Sequence, residues 1–496
     1  MTTWIDRLGQ RNPQFLRECR GRLKPRSVMA AVGLSVIFQG LLGFFVVEGG
    51  GTSELHEQLL QICRALSWTM PYTLFVLGGY YLVNDLTQEE KSGTLNFIRL
   101  SPRPAHEILL GKLLGVPVLP FLLVATAMPL HIVSGLLGGV SLTLLVSYYG
   151  VLGFEVTFVF SLALMIGLTG SSQSLLMRQQ APTAIAFAGL ALFILSPFFM
   201  FWNVSTTWGT LRGSSLLFGA AGSRSLEWLY LSIVDNAFFA HLFTLGHLTI
   251  ASLLIWRIVM RQFRMSQATL LSKRLSYISV AYLNVLAWGF LQTSALPAED
   301  RLAGIPYLYG LNAAVFMVLI FRLVPSRQML LDWVRYRRGH WFEWVWDDGS
   351  PSVGAIAINC LITAALIAPW MLLASRGRDS VPLGLMMATL SVGASFLIYA
   401  TLVQIIFSTR LRAPLTWSVG VVATLIIVPL IVLARLGLFP EVSSRMMTIW
   451  TFLGYPFWDY SKPGSFSSAW IGLVMQWVLL VLLLSRLRRN LNRLSL

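Results

Sequence analysis

Between Lys112 and Glu155 the chain carries no Asp, Glu, Lys or Arg, and Ser27–Val47 is likewise uncharged. A soluble fold has no use for uncharged stretches of this length. A bilayer does, because about 20 apolar residues cross its hydrocarbon as a helix. Composition agrees: 56% of residues are hydrophobic and 12% charged, against about 25% charged in ordinary soluble domains. The expected fold class is therefore an all-α polytopic membrane protein.

Reading apolar runs of helical length along the chain predicts twelve spans. The first six are 27–47, 68–84, 108–134, 141–169, 181–201 and 237–257. The second six are 276–294, 305–324, 353–374, 382–407, 414–434 and 468–485. With that count, 28 of the 37 Lys and Arg residues fall on one side and 9 on the other. This asymmetry follows the positive-inside rule and places both termini in the cytoplasm. It also accounts for the net charge of +16 without a nucleic-acid partner. Residues 1–26 are polar and basic, so the first apolar run reads as an uncleaved anchor, not a signal peptide. Cys19, Cys63 and Cys360 fall in a basic tail, a loop and an apolar segment, a spacing that gives neither a disulfide framework nor a metal site.

Six spans followed by six suggest a duplication. Arg178, Ala181, Pro182 and Pro197 recur as Arg410, Ala413, Pro414 and Pro429. The loop plan repeats as well, with long loops 85–107 and 325–352 after the second span of each half. Trp-rich loops 202–236 and 435–467 follow the fifth span of each half. The aromatic residues Trp202, Trp208, Trp228, Tyr230, Trp450, Tyr455, Trp458 and Tyr460 suit a membrane interface. Two parallel repeats, 1–275 and 276–496, are expected, related by an axis along the membrane normal.

The most informative stretch is Asp85–Gly115, DLTQEEKSGTLNFIRLSPRPAHEILLGKLLG. Thr94, Leu95, Phe97 and Ile98 form an apolar stripe on a short helix flanked by charge. Ser101 is placed to cap the next helix, with Pro102 in its first turn. Glu107 opens that helix, and Lys112 is expected to snorkel to the interface. The N-terminal segment puts Phe15, Leu16, Cys19 and Leu23 on one face, with Arg20, Arg22 and Lys24 available to lipid phosphates.

This segment resembles the ABC-2 family of ABC-transporter permeases, whose cytoplasmic segment reads E-x-x-G-T-L, then L-S-P, then E-I-L-x-G-K. Here Glu90, Gly93, Thr94 and Leu95 are followed by Leu100, Ser101 and Pro102, then by Glu107, Ile108, Leu109, Gly111 and Lys112. Asn12, Pro13, Arg17, Glu18, Arg20 and Arg22 are similar to the family's basic N-terminal helix. The likeness covers about residues 12–275, and the loop 325–352 lacks the Glu-Gly-Thr pattern. The resemblance implies an ABC-2 (type II exporter) fold of two six-helix units. It also implies that 85–107 docks a cytoplasmic ATPase, with Glu90, Gly93, Thr94, Arg99, Ser101, Pro102, Glu107 and Lys112 in the coupling segment. The outer loops would form short re-entrant helices.

The chain holds no G-x-x-x-x-G-K-[ST] loop, since Leu113 follows Gly111-Lys112. ATP and Mg would then be held by a separate ATPase, this chain being a permease and not an enzyme. Because such permeases work as pairs of six-helix units, the duplication implies that no second permease chain is needed. No G-x-S-x-G or H-E-x-x-H occurs either, and Asp347-Asp348 reads as a helix end. Glu155 in the fourth span and His247 in the sixth are candidates for the transport path, because ionisable groups inside a membrane are costly. His241, Asn284, Asn312, Asn359, Gln404 and Gln476 read as interhelical hydrogen-bonders. Gly33, Gly40 and Gly43 read as points of close helix approach. The expected function is export of a hydrophobic or amphipathic substrate across the plasma (inner) membrane by alternating access. An ion-coupled secondary transporter and a non-transporting membrane scaffold are the alternatives.

Overall fold

The computed structural model describes residues 12–49, 54–169, 196–207, 227–233, 236–265, 268–292, 304–336, 340–374, 381–438, 444–454 and 466–495. Helix dominates these residues, and the chain divides into two compact units. One comprises 1–226 with 232–266, the other 227–231 with 267–496. Among the described residues, nine helices are long and apolar enough to cross a membrane. The protein is therefore membrane-embedded.

The first unit begins with a short helix, α1 (Pro13–Arg22), and then a lipid-length helix, α2 (Pro25–Gly49). The chain next runs as one helical rod through α3 (Leu55–Tyr72), a π-helical turn at Thr73–Gly78 and α4 (Gly79–Lys91). Pro71 lies inside α3 and has no N–H to give the carbonyl of Ser67. Tyr148 compensates: its hydroxyl donates to that carbonyl at 2.9 Å. After α4 come α5 (Thr94–Arg99), α6 (Ala105–Gly115), α7 (Val118–Leu137) and α8 (Leu142–Thr169). Residues 196–207 are helical, and α9 (Ala237–Arg264) completes the unit. Helix α8 is its axis, packing against α4 and α9 with Phe160, Ala163 and Leu164 fully buried.

The second unit contains α10 (Lys273–Leu291), α11 (Ile305–Arg322), α12 (Arg327–Tyr336) and α13 (Trp341–Trp346). Then follow α14 (Ser352–Ala374), α15 (Val381–Ser408), α16 (Pro414–Arg435), α17 (Ser444–Leu453) and α18 (Phe466–Ser495). Its axis is α15, which packs on α14, α16 and α18. In both units the first expected span packs on the third, the second on the fourth and the fourth on the sixth.

Several expectations need correction. The span 68–84 is helical, inside Leu55–Lys91, and 276–294 is helical as far as residue 291, in Lys273–Leu291, with 293–294 outside the described residues; among the described residues neither belongs to the nine apolar crossings. The span 108–134 is two helices, divided at Val116–Pro117 because Pro117 supplies no donor. Most of 181–201 lies outside the described residues, as do Arg178, Ala181, Pro182, Trp208, Tyr455, Trp458 and Tyr460. Cys63 sits fully buried in α3, not in a loop; all three cysteines are free thiols. A Cβ on Gly33, Gly40 or Gly43 would meet nothing within 4 Å, so these glycines do not bring helices together within their unit. Residues 227–231, expected in an outer loop of the first half, belong with the second unit. There the Trp228 indole donates to Leu286 O at 3.1 Å and rests against Gly289, where any Cβ would collide with the ring.

Candidate functional site

The segment 85–115 forms a knob at the end of the first unit, and its chemistry starts with one lysine. Lys112, on α6, has no exposed side-chain surface. Its ammonium lies 2.6 Å from Asp85 Oδ2, 2.8 Å from Glu89 Oε2 and 3.5 Å from Glu18 Oε1. Asp85 and Glu89 share one face of α4 because they stand four residues apart. Glu18 comes from α1. The expectation that Lys112 snorkels outward is therefore wrong. Three carboxylates compensate its charge inside the protein, and they keep its pKa raised despite burial.

Two arginines balance the remaining negative charge. Arg17 bonds Glu89 at 2.8 Å, and Arg22 reaches Asp85 at 2.5 Å while pairing with Glu18 one turn back. Arg22 is thus held by protein carboxylates, which corrects the expectation of a lipid-phosphate contact at that one residue. These same carboxylates raise its pKa. The oxygens of Glu18, Asp85 and Glu89 lie within 4.8 Å of one another, a spacing that suits a cation. The Lys112 ammonium supplies that cation itself.

The fit of α1 on α6 explains the glycines. A Cβ at Gly111 would stand 2.7 Å from Asn12 Oδ1 and 2.8 Å from the Phe15 amide nitrogen; one at Gly115 would stand 2.7 Å from Glu18 Cβ. Spaced four apart, they make a flat stripe on which α1 lies. Asn12 caps α1 by accepting from the Phe15 amide at 3.0 Å, and its amide donates to Glu107 O at 2.7 Å. The coupling candidate Lys112 is thereby anchored by residues 90 or more positions upstream as well as by its neighbours.

The knob itself turns at Gly93, whose φ of 76° falls in the region that only glycine adopts freely. The Thr94 hydroxyl donates back to Glu89 O at 3.2 Å and so closes the turn. In α5, Leu95 and Ile98 pack inward, whereas Phe97 is 80% exposed and Leu100, just after it, 85%. The apolar stripe read from the sequence is therefore split between core and surface. Arg99 approaches Glu90 at 3.6 Å and lies over the Phe263 ring at the end of α9. Ser101 accepts from the Arg103 amide at 3.3 Å, and Pro102 lies in the bend after it. Helix α6 begins at Ala105 behind Pro104, so Ser101 is not its cap and neither Pro102 nor Glu107 opens it. The Glu107 carboxylate pairs with Arg103 at 3.3 Å on the surface.

Inside the membrane, the first unit holds a buried polar chain. Asn203 donates to Glu155 Oε2 at 2.7 Å; Thr207 contacts Asn203 Oδ1 at 3.4 Å and His241 Nε2 at 3.1 Å; Ser147 meets His241 Nδ1. The chain joins α8, residues 203–207 and α9. The His247 ring lies against Phe243 one turn earlier in α9, tilted at 59° with 4.2 Å between centroids. In the second unit, Asn284 and Asn312 exchange amide hydrogen bonds at 3.1 and 2.9 Å. Asn359 donates to Ser276, Gln404 accepts from Ser352 and Gln476 donates to Ser395. Asp348 accepts from the Lys273 amide, and Asp347 follows the end of α13.

Sequence reading missed Asp85, Glu89 and Asn203 as members of these clusters. The first two carried a signal, an acidic pair one turn apart beside a lone lysine in an apolar helix. Asn203 carried none, since its partner is 48 positions away. Compared with protein-family models, curated proteins and solved structures, the chain finds no match.

Proposed function

We propose that this chain is the permease subunit of an ABC-2-type ABC transporter, exporting a hydrophobic or amphipathic substrate by alternating access. The observation that carries this reading is the mounted knob. Two large apolar side chains, Phe97 on the short helix α5 and Leu100 just after it, stand exposed outside the described apolar spans, next to a base locked by the ion cluster around Lys112. Exposed apolar groups on so firmly mounted a turn suit a protein-docking surface. The rigid base lets force applied at the tip reach α4, α6 and the core around α8. The docked partner is a cytoplasmic ATPase carrying ATP and Mg, both termini face the cytoplasm, and the membrane is the plasma (inner) membrane. The helix pairings that recur in both units support two fused six-helix halves, so one chain provides the whole pore.

The test is co-purification of the full chain with an ABC-type ATPase, followed by transport in vesicles. Phe97→Asp with Leu100→Asp, both at exposed positions, is expected to release the ATPase while leaving the melting profile unchanged. Charge reversal at Glu90 with Glu107 is expected to uncouple hydrolysis from transport. Transport by the purified chain with no ATPase present, unaffected by these variants, would overturn the proposal.

A second reading, transport driven by an ion gradient, draws on Glu155, whose Oε1 is buried without a hydrogen-bond partner among the described residues. It requires flux without ATP that disappears in Glu155→Gln.

A further inference from the structure

The last helix of the second unit, α18, is 30 residues long, or about 45 Å at 1.5 Å per residue. That exceeds the roughly 30 Å hydrocarbon core by several turns. One side of it is concave. A groove of about 490 Å³ runs between Leu390 of α15 and the α18 residues Trp470, Val474, Trp477, Val478 and Val481, ending at Leu482. The volume lies in the range of small-ligand sites. From Trp470 to Leu482 the groove is about 18 Å long, close to the depth of one leaflet. Every side chain lining it is apolar, and most of them, Val478, Val481 and Leu482 among them, are exposed along one side.

The same stripe of the helix then changes character. Seven residues make two turns, so Arg488 stands on the line of Val481, Arg489 on that of Leu482 and Ser485 on that of Val478. Arg488 and Arg489 are both exposed. Arg489 contacts Ser485 O at 3.4 Å, and among the described residues no carboxylate pairs with either guanidinium. The opposite face of the helix is already occupied: Leu480, Leu487 and Leu491 are buried, and α18 packs on α12, α15 and α17.

We infer that this groove is a binding site for one anionic phospholipid, its acyl chain along Trp470–Leu482 and its phosphate between Arg488 and Arg489. Acyl length, apolar lining and the sign of the charge at one end all select that occupant. A neutral hydrophobic helix would leave the two guanidinium groups without a partner, whereas a phosphate takes hydrogen bonds from both. A basic cluster at the membrane end of a transmembrane helix is a known chemistry for acidic head groups. The site belongs to the leaflet that faces the C-terminal arginines. It does not depend on the proposed docking of an ATPase to the first unit.

The test uses the full chain in detergent, titrated with brominated phosphatidylglycerol or brominated phosphatidylcholine while tryptophan fluorescence is followed. Subtracting the signal of Trp470→Phe with Trp477→Phe isolates the two groove indoles. In this difference, phosphatidylglycerol should quench at about thirtyfold lower concentration than phosphatidylcholine, because the two arginines near an acidic head group together contribute about 2 kcal/mol. Arg488→Gln with Arg489→Gln should abolish that preference with no change in melting, since both side chains are exposed. Val478→Phe, filling the groove without adding an indole, should remove quenching by both lipids. Equal quenching by the two lipids in the native chain means ordinary boundary lipid and overturns the site. So does a preference that survives Arg488→Gln with Arg489→Gln. Absence of groove quenching by either lipid means that the groove is filled by protein, a second copy or another subunit, and overturns it as well.

Discussion

The Lys112 ammonium stands 2.6 Å from Asp85 Oδ2, with none of its side chain exposed. The two residues belong to different helices, and Glu18 and Glu89 complete the enclosure. Removing the cation leaves three carboxylates close together in a buried place. Breaking a buried pair by deleting one partner costs about 3–5 kcal/mol. Lys112→Met should therefore lower the melting temperature of the purified chain markedly. Lys112→Met combined with Asp85→Asn should recover part of that loss, and the double-mutant cycle should give a coupling of about 1–3 kcal/mol. Additive losses would mean that the two groups do not act as a pair.

Gly111 tests the seat of α1. A methyl group there meets Asn12 and the backbone of Phe15 at less than 3 Å, and backbone cannot yield as a flexible side-chain tip can. Gly111→Ala should cost about 1–3 kcal/mol and raise hydrogen exchange selectively over residues 13–22. Gly93→Ala is the contrasting case, because nothing lies within 4 Å of its Cβ. Its cost should be about 1 kcal/mol, from the positive φ alone, with exchange over 13–22 unchanged.

These sites show what a single chain reveals about itself. Long apolar helices were legible because uncharged length is a local property, so Ser27–Val47 and the stretch after Leu142 announced themselves. The location of the knob was legible too, since Gly93 and Thr94 make a turn from neighbouring residues. The fate of Lys112 was not. Its three carboxylates come from positions 18, 85 and 89, and no periodicity in the sequence brings them together. Burial of a charge is decided by distant partners, whereas snorkelling is the default for a lone lysine at a helix end. The same limit applied to Ser101, whose capping pattern was local but lost to the extended backbone at Pro104. The groove between Leu390 and α18 likewise depends on two helices that are far apart in sequence.

Glu155 and Asn203 offer a test inside the membrane. The Asn203 amide donates to Glu155 Oε2 at 2.7 Å, and both side chains are fully buried. Glu155→Gln keeps an acceptor for that amide, so its effect on stability should be within about 1 kcal/mol. Glu155→Leu leaves the amide unpaired and should cost about 1–3 kcal/mol. Thermal unfolding of the two variants in the same detergent separates these outcomes. Transport measured alongside then assigns the role: an export function needing only the hydrogen bond survives in Glu155→Gln, whereas one needing the ionisable carboxyl does not.

Lys273 predicts a pH dependence. Its ammonium is buried and donates to Trp344 O at 3.1 Å, to Pro351 O at 3.3 Å and to the Ser350 hydroxyl, with no carboxylate in direct contact among the described residues. Burial lowers its pKa from 10.5 to about 8, while Asp348 and Asp347 oppose the shift. Between about pH 8 and 10.5 the unfolded chain holds a proton that the folded chain has released. Stability then rises with pH, because the unfolded state binds more protons. The full gain is about 3 kcal/mol, taking about 1.4 kcal/mol for each pKa unit. Below pH 8 both states are protonated and the gain is absent. Lys273→Met removes the titration, so the melting temperature of the native chain relative to this variant should climb from pH 8 to 10 and stay flat from pH 6 to 7.5. Parallel profiles across the whole range would show that the three oxygen acceptors keep the ammonium charged, with its pKa close to the ordinary lysine value.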